Sequence, residues 1–262
     1  MRNRMIARFA VPAMLFLPAA APAQGAAPPA GGWRTPWSYE AGATGPEHWG
    51  SLDPDYAACS SGHEQSPIDI THTTRADLPA LQFSYRSGPV WLANNGYTAV
   101  RVNYAPGNGN VLVVDGTRYE LTQFHFHHPS EEYVRGAPSA MAAHLMHVSA
   151  DGKVVGVTVL LKAGAPNAVV GQLWAAMPQA AGPQREIPGL RVNPADLLPR
   201  TLGYYTYAGS QTAPPCTEGV TWYVLKTPVE ISAAQIAAFA RLYPHDVRPP
   251  QPLNGRVVRE SR

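Results

Sequence analysis

Residues 111–128 read VLVVDGTRYELTQFHFHH. Asp115-Gly116 is the strongest short signal for a two-residue hairpin turn, because both positions tolerate positive φ. The flanking runs, 111–114 and 117–128, are rich in β-branched and aromatic side chains, so the stretch predicts two antiparallel strands. Successive strand side chains point to opposite faces. Leu121, Gln123, His125 and His127 therefore share one face, and Phe124 and Phe126 take the other, into packing. Two imidazoles two residues apart on a strand can ligate one metal, but a lone H-x-H is a weak signal because chance pairs are common.

Working outward, residues 90–93 lead into Asn94-Asn95-Gly96, a turn signal, and 97–105 alternate as far as Pro106-Gly107-Asn108-Gly109-Asn110. Residues 154–161 and 220–226 are again β-rich. Helical patterns are short. Asn167 caps a pattern with Val170, Leu173, Trp174 and Met177 on one face, and Asn193-Pro194 opens a helical turn. Ser232 with Gln235 forms a capping box ahead of Ile236, Phe239 and Tyr243. The reading is a β-dominated α+β domain with short peripheral helices.

The segment 141–147, MAAHLMH, stays open. As a strand it puts His144 and Met146 on one face and His147 on the other. As a helix it puts His144 and His147 together. Three neutral imidazoles with a fourth position free make the pattern of a catalytic zinc site. Hydrogen-bonded core histidines are the alternative, and composition and spacing do not choose between them.

The chain has 262 residues, 45% hydrophobic and 15% charged, which excludes disorder through charge excess. Its 23 Gly and 27 Pro suit many turns between short strands. Arg2, Arg4 and Arg8, the apolar run 9–20 and Ala21-Pro22-Ala23 read as a signal peptide over 1–23, followed by a flexible lead-in, QGAAPPAGG, at 24–32. This predicts an exported, periplasmic protein with one domain over 33–262. Its mature form carries 17 basic and 18 acidic side chains, which offers no electrostatic basis for binding nucleic acid or a membrane. Export also makes the two cysteines, Cys59 and Cys216, a predicted disulfide tying the start of the fold to its end.

Several segments then become specific together. They are Gly45-Pro46-Glu47-His48-Trp49, Gln65-Ser66-Pro67-Ile68-Asp69-Ile70, Asn94-Asn95-Gly96 and Gln123-Phe124-His125-Phe126-His127. Pro129-Ser130-Glu131, Ala143-His144-Leu145, Gly209-Ser210 with Thr212, Pro214-Pro215-Cys216 and Gln251-Pro252-Leu253 follow in order. From Trp37 to Arg256 the chain resembles the exported bacterial α-class carbonic anhydrases. The resemblance implies a single domain around a central, mostly antiparallel twisted sheet of about ten strands. It implies a Zn(2+) cofactor on His125, His127 and His144, and the Cys59–Cys216 disulfide of bacterial members. The activity implied is reversible hydration of carbon dioxide to bicarbonate and a proton by zinc-bound hydroxide, a lyase reaction. Thr212 matches the residue that orients the hydroxide and hands its own hydrogen to Glu131. Gln123 matches the residue that holds His125, and Met146, Val220, Trp222 and Gln211 match the substrate pocket.

Some positions depart from the family. The proton-shuttle histidine is replaced by Tyr97. The glutamate two residues before the third ligand is Ala142, and the histidine after Glu131 is Glu132. This double change suggests a relocated carboxylate, with Glu132 serving the outer nitrogen of His144. Gln211 and Ala213 flank Thr212 in place of the usual apolar and polar residues. A usual pocket valine is Gly156, with Met146 expected to fill the space. The stretch 97–103 is one residue longer than usual. These changes leave two alternatives beside the enzyme: a catalytically weak zinc-binding relative with a binding role, or hydrolysis of activated esters at the same zinc. Non-catalytic relatives characteristically lose a zinc ligand, so the intact set favours the enzyme.

Overall fold

The computed structural model describes residues 35–97 and 100–262. The signal peptide and lead-in expected over 1–32 lie outside the described residues. The turn at 115–116 forms with both residues left-handed, Asp115 at φ 48 and Gly116 at φ 72, and it pairs Val114 with Thr117.

The sheet built on this hairpin has 12 strands among the described residues. One continuous path comprises β1 (Thr74–Ala76), β2 (Gly88–Asn94), β3 (Arg101–Asn103), β4 (Thr117–His127), β5 (Met141–Ser149), β6 (Val154–Ala163), β7 (Gly182–Val192), β8 (Tyr204–Ser210), β9 (Glu218–Ile231) and β10 (Arg259–Ser261). Their order in space is β7-β2-β3-β4-β5-β6-β9-β8-β10-β1. Gln82–Ser84 and Val111–Val114 pair beside β4. Neighbours on the path are antiparallel except β6 with β9 and β10 with β1. A strand in parallel pairing is covered on both faces and reads as a continuous apolar run. The sequence VVGVTVLLKA of β6 fits, with seven consecutive buried positions.

The two faces of β4 divide the molecule. Phe124 and Phe126 enter the main core with Val157, Val159, Leu173 and Trp174. Two helices close that side, Ala168–Ala175 and Ala233–Ala240. Asn167 caps the first by accepting from the Val170 N–H, and Ser232 and Gln235 form the capping box of the second. The Trp174 ring packs 4.8 Å from Phe126 and 5.4 Å from Phe239. The opposite face carries the histidines.

Residues 141–149 are a strand, so His144 faces His125 across the β4–β5 pairing. His147 turns to the other side, where Tyr85 Oη lies 2.5 Å from its Nε2. Two strands carry little sequence signal. β7 contains Pro183, Pro188 and Gly189 and is tolerated because it is an exposed edge with an interrupted register. β8, YYTYAGS, buries its residues without strict alternation. Among the described residues of the alternating stretch 97–105, Arg101–Asn103 form a strand, β3.

Candidate metal centre

Nitrogens of His125, His127 and His144 all lie within 4.8 Å of one another. Each imidazole is fixed by its outer nitrogen. His125 Nδ1 is 2.8 Å from Gln123 Oε1, two residues away on the same strand face. His127 Nδ1 is 2.7 Å from the backbone carbonyl of Asp246. His144 Nε2 is 2.9 Å from Glu132 Oε1 and 3.1 Å from Oε2. All these partners are acceptors, so the outer nitrogens donate, and the inner nitrogen of each neutral ring is left with a lone pair. His127 Nε2 and His144 Nδ1 are buried with no hydrogen-bond partner. Buried polar atoms are rarely left so. Lone pairs converging from three imidazoles fit a metal that takes nitrogen ligands, and they fit zinc.

Electrostatics favour neutral rings at two ligands. Burial holds His125 well below its ordinary pKa, aided by repulsion from His127, His144 and Arg101. Burial brings His127 down to about 3. At His144 burial also opposes charge, but the Glu132 carboxylate outweighs it and the pKa rises. Glu132 is itself pulled below the usual carboxylate value, because His144 and Thr158 overcome the cost of burial. Thr158 Oγ1 donates to Glu132 Oε1 at 2.7 Å.

Glu131 is fully buried next to the ligands. Its Oε1 accepts the Arg248 N–H at 2.8 Å, and its Oε2 lies 3.4 Å from His127 Nε2 and 3.8 Å from His144 Nδ1. Burial raises its pKa to about 7, against the pull of His144, Arg248 and the Thr212 hydroxyl beside it. Thr212 sits on a tightly held loop. Ser66 and Ser210 exchange N–H···Oγ bonds of 2.9 and 3.0 Å, Trp222 Nε1 donates to Ser210 O at 2.9 Å, and Cys59–Cys216 anchors the far end.

The apolar side of the site is Trp222, whose ring is 4.8 Å from that of His144, with buried Val220 and half-buried Met146. Met146 and Gly156 face each other in the β5–β6 register. Met146 thus stands beside Gly156, as the expected volume exchange requires. Gly156 also faces Trp222 of β9, and a Cβ there would meet the indole at 2.5 Å. The nearest atoms to such a Cβ all belong to this rigid ring on the adjacent parallel strand. Gln211 is exposed and its N–H donates to Thr217 O at 2.9 Å. Tyr97 stacks on Trp37 with centroids 4.1 Å apart. His128 bonds Pro244 O through Nδ1 and, like His147, faces away from the cluster.

Three contributors carried no sequence signal. The Asp246 carbonyl reaches His127 from 119 residues downstream. Arg248, buried by Trp49, donates to Gln65 Oε1, Ser66 O and Cys59 O, each at 2.8 Å, and so fixes the backbone N–H that holds Glu131. Arg101 lies opposite His125. Backbone acceptors and long-range arginine contacts have no local pattern that a sequence could display.

The family model for eukaryotic-type carbonic anhydrase matches residues 44–262. A carbonic anhydrase of Klebsiella pneumoniae is 44% identical over 225 residues, covering 86% of this chain and 90% of that relative. One from Neisseria gonorrhoeae is 43% identical over 230 residues, covering 87% and 89%. The solved α-carbonic anhydrase of Thermovibrio ammonificans, in complex with the inhibitor sulfanilamide, superimposes with a TM-score of 0.81 at 41% identity, covering 86% of this chain and 99% of that one.

Proposed function

The chain belongs to the eukaryotic-type, α-class carbonic anhydrase family, and from that premise we propose how its own residues hydrate carbon dioxide. The reaction is carbon dioxide plus water to bicarbonate plus a proton, and its reverse. The observation that carries the reading is the set of inner imidazole nitrogens, two of them buried and unpartnered, that converge while every outer nitrogen is bonded.

His125 and His127 would offer Nε2, and His144 Nδ1, to zinc. Zinc, when bound there, supplies a Lewis acid that brings a coordinated water to a pKa of about 7, a value typical of this enzyme class rather than a measurement on this chain. Three histidine ligands would leave such a metal a further position for water, and Glu131 lies beside the ligands with the Thr212 hydroxyl at its carboxylate. Ionised Glu131 would accept the Thr212 hydroxyl hydrogen, so the Thr212 oxygen is left to accept from the attacking water. That fixes the lone pair aimed at carbon, a gain in orientation. Val220, Trp222 and Met146 form the apolar wall against which carbon dioxide would rest.

The N-terminal pattern and the disulfide support export to the periplasm, with the mature domain beginning near residue 33. Among the described residues no helix is long and apolar enough to cross a membrane. Stopped-flow carbon dioxide hydration on the zinc-loaded mature protein tests the function. The expected result is a rate far above that of free zinc; a rate equal to free zinc would end the enzyme reading.

A further inference from the structure

Arg101 is directly opposite His125 in the antiparallel β3–β4 pairing. Residues opposite each other in such a pair share a face, with Cβ atoms about 5 Å apart. The guanidinium therefore rises on the metal side of the sheet, beside the first ligand. Its neighbours there are neutral. Ala93 is opposite it on β2, and Asn103, the next residue on the same face of β3, accepts its Nε–H through Oδ1 at 3.0 Å. Asn103 is held in turn by its Nδ2, which donates to Gln184 Oε1 at 2.9 Å.

Among the described residues Arg101 makes no ion pair. Glu186 shares this face, but it is exposed two strands away, opposite Trp91. Burial lowers the pKa of Arg101 and no carboxylate raises it, and its charge is felt at His125. A half-buried guanidinium without a counter-ion is costly. Among the described residues only Nε is bonded, to Asn103, which leaves the terminal donors as the planar fork that matches two oxygens of a trigonal oxyanion.

We propose that Arg101 forms an anion-binding site in the metal cleft that takes small planar oxyanions side-on, the bicarbonate made there among them. A fork beside His125 would receive the anion as it leaves the metal and present it in the reverse direction. The identity of the natural anion rests on the carbonic anhydrase reading; the binding site itself does not.

The test uses 15N-labelled mature protein, metal-free and zinc-loaded. Chloride is replaced by nitrate or bicarbonate at constant ionic strength while the Arg101 Nε–H resonance is followed. Its absence from Arg101→Gln identifies the resonance. A saturable shift in both forms is expected. Arg101→Gln should weaken bicarbonate binding to the zinc-loaded protein about tenfold or more, and Arg101→Lys should recover only part, because an ammonium lacks the fork. No saturable shift, unchanged binding in Arg101→Gln, or full recovery by lysine would each overturn the site. A chain that binds no zinc would end the hydratase reading, and the metal-free titration would still decide Arg101.

Discussion

Glu132 Oε1, in the bend after β4, stands 2.9 Å from Nε2 of His144, 12 positions later on β5. The carboxylate that orients the third ligand has no counterpart on the ligand's own strand, where Ala142 occupies the same face two residues before His144. Thr158 completes the arrangement from β6. Loss of such a partner typically costs 10–100-fold in metal affinity. Glu132→Gln should therefore weaken zinc binding by about 10–100-fold in chelator competition, with the fold retained. Adding Ala142→Glu to Glu132→Ala should return affinity toward wild type. Unchanged affinity in Glu132→Gln would show that the contact does not tune the metal.

Gly156 lies against the ring of Trp222, which is also in contact with His144. Gly156→Val would drive a branched side chain into a rigid indole. Overpacking of this kind costs about 1–3 kcal/mol. The melting temperature should fall, and hydration should fall with it because the pocket wall is displaced. Wild-type values for both would mean that the ring has room to retreat.

Tyr97, expected at the proton-shuttle position, is stacked on Trp37. Burial raises its pKa above the ordinary tyrosine value. Even at pKa 10 only about one phenol in a thousand is ionised at pH 7 and able to accept a proton. Turnover should therefore depend on external buffer, and Tyr97→His should raise it at low buffer concentration. A buffer-independent wild-type rate would reveal another relay.

His147 gives a pH signature of folding. Burial lowers its pKa to about 3. Between about 6.5 and 3 the unfolded chain binds a proton that the folded chain refuses, so this group removes stability as pH falls through that window. From pH 7 to pH 5 the loss is about 2 kcal/mol. Urea unfolding of His147→Gln should show a pH dependence smaller by about that amount. An identical slope would assign acid sensitivity to other groups.

Much of the site was legible because it is local. The H-x-H alternation, the Asp115-Gly116 turn and the Ser232/Gln235 box are short-range patterns whose physics fits within a few residues. The third ligand was ambiguous because MAAHLMH lacks the polar punctuation that separates a buried strand from a buried helix. Its β-bulge between Met146 and His147, which breaks the register with β4, has no sequence mark. That Trp222 also stands against Gly156 has no sequence mark, because the parallel β6–β9 pairing joins segments more than 60 residues apart. Arg101 was missed because the longer stretch before it obscured its register.

The carbonyl of Asp246 that orients His127 belongs to a segment near the end of the chain. The partner that fixes the second ligand's ring is therefore made 119 residues after it. The same late segment supplies Arg248, which locks onto Cys59, Gln65 and Ser66 near the start. A chain lacking residues 246–248 would carry all three histidines yet lack the carbonyl that sets the His127 ring and the backbone N–H that holds Glu131.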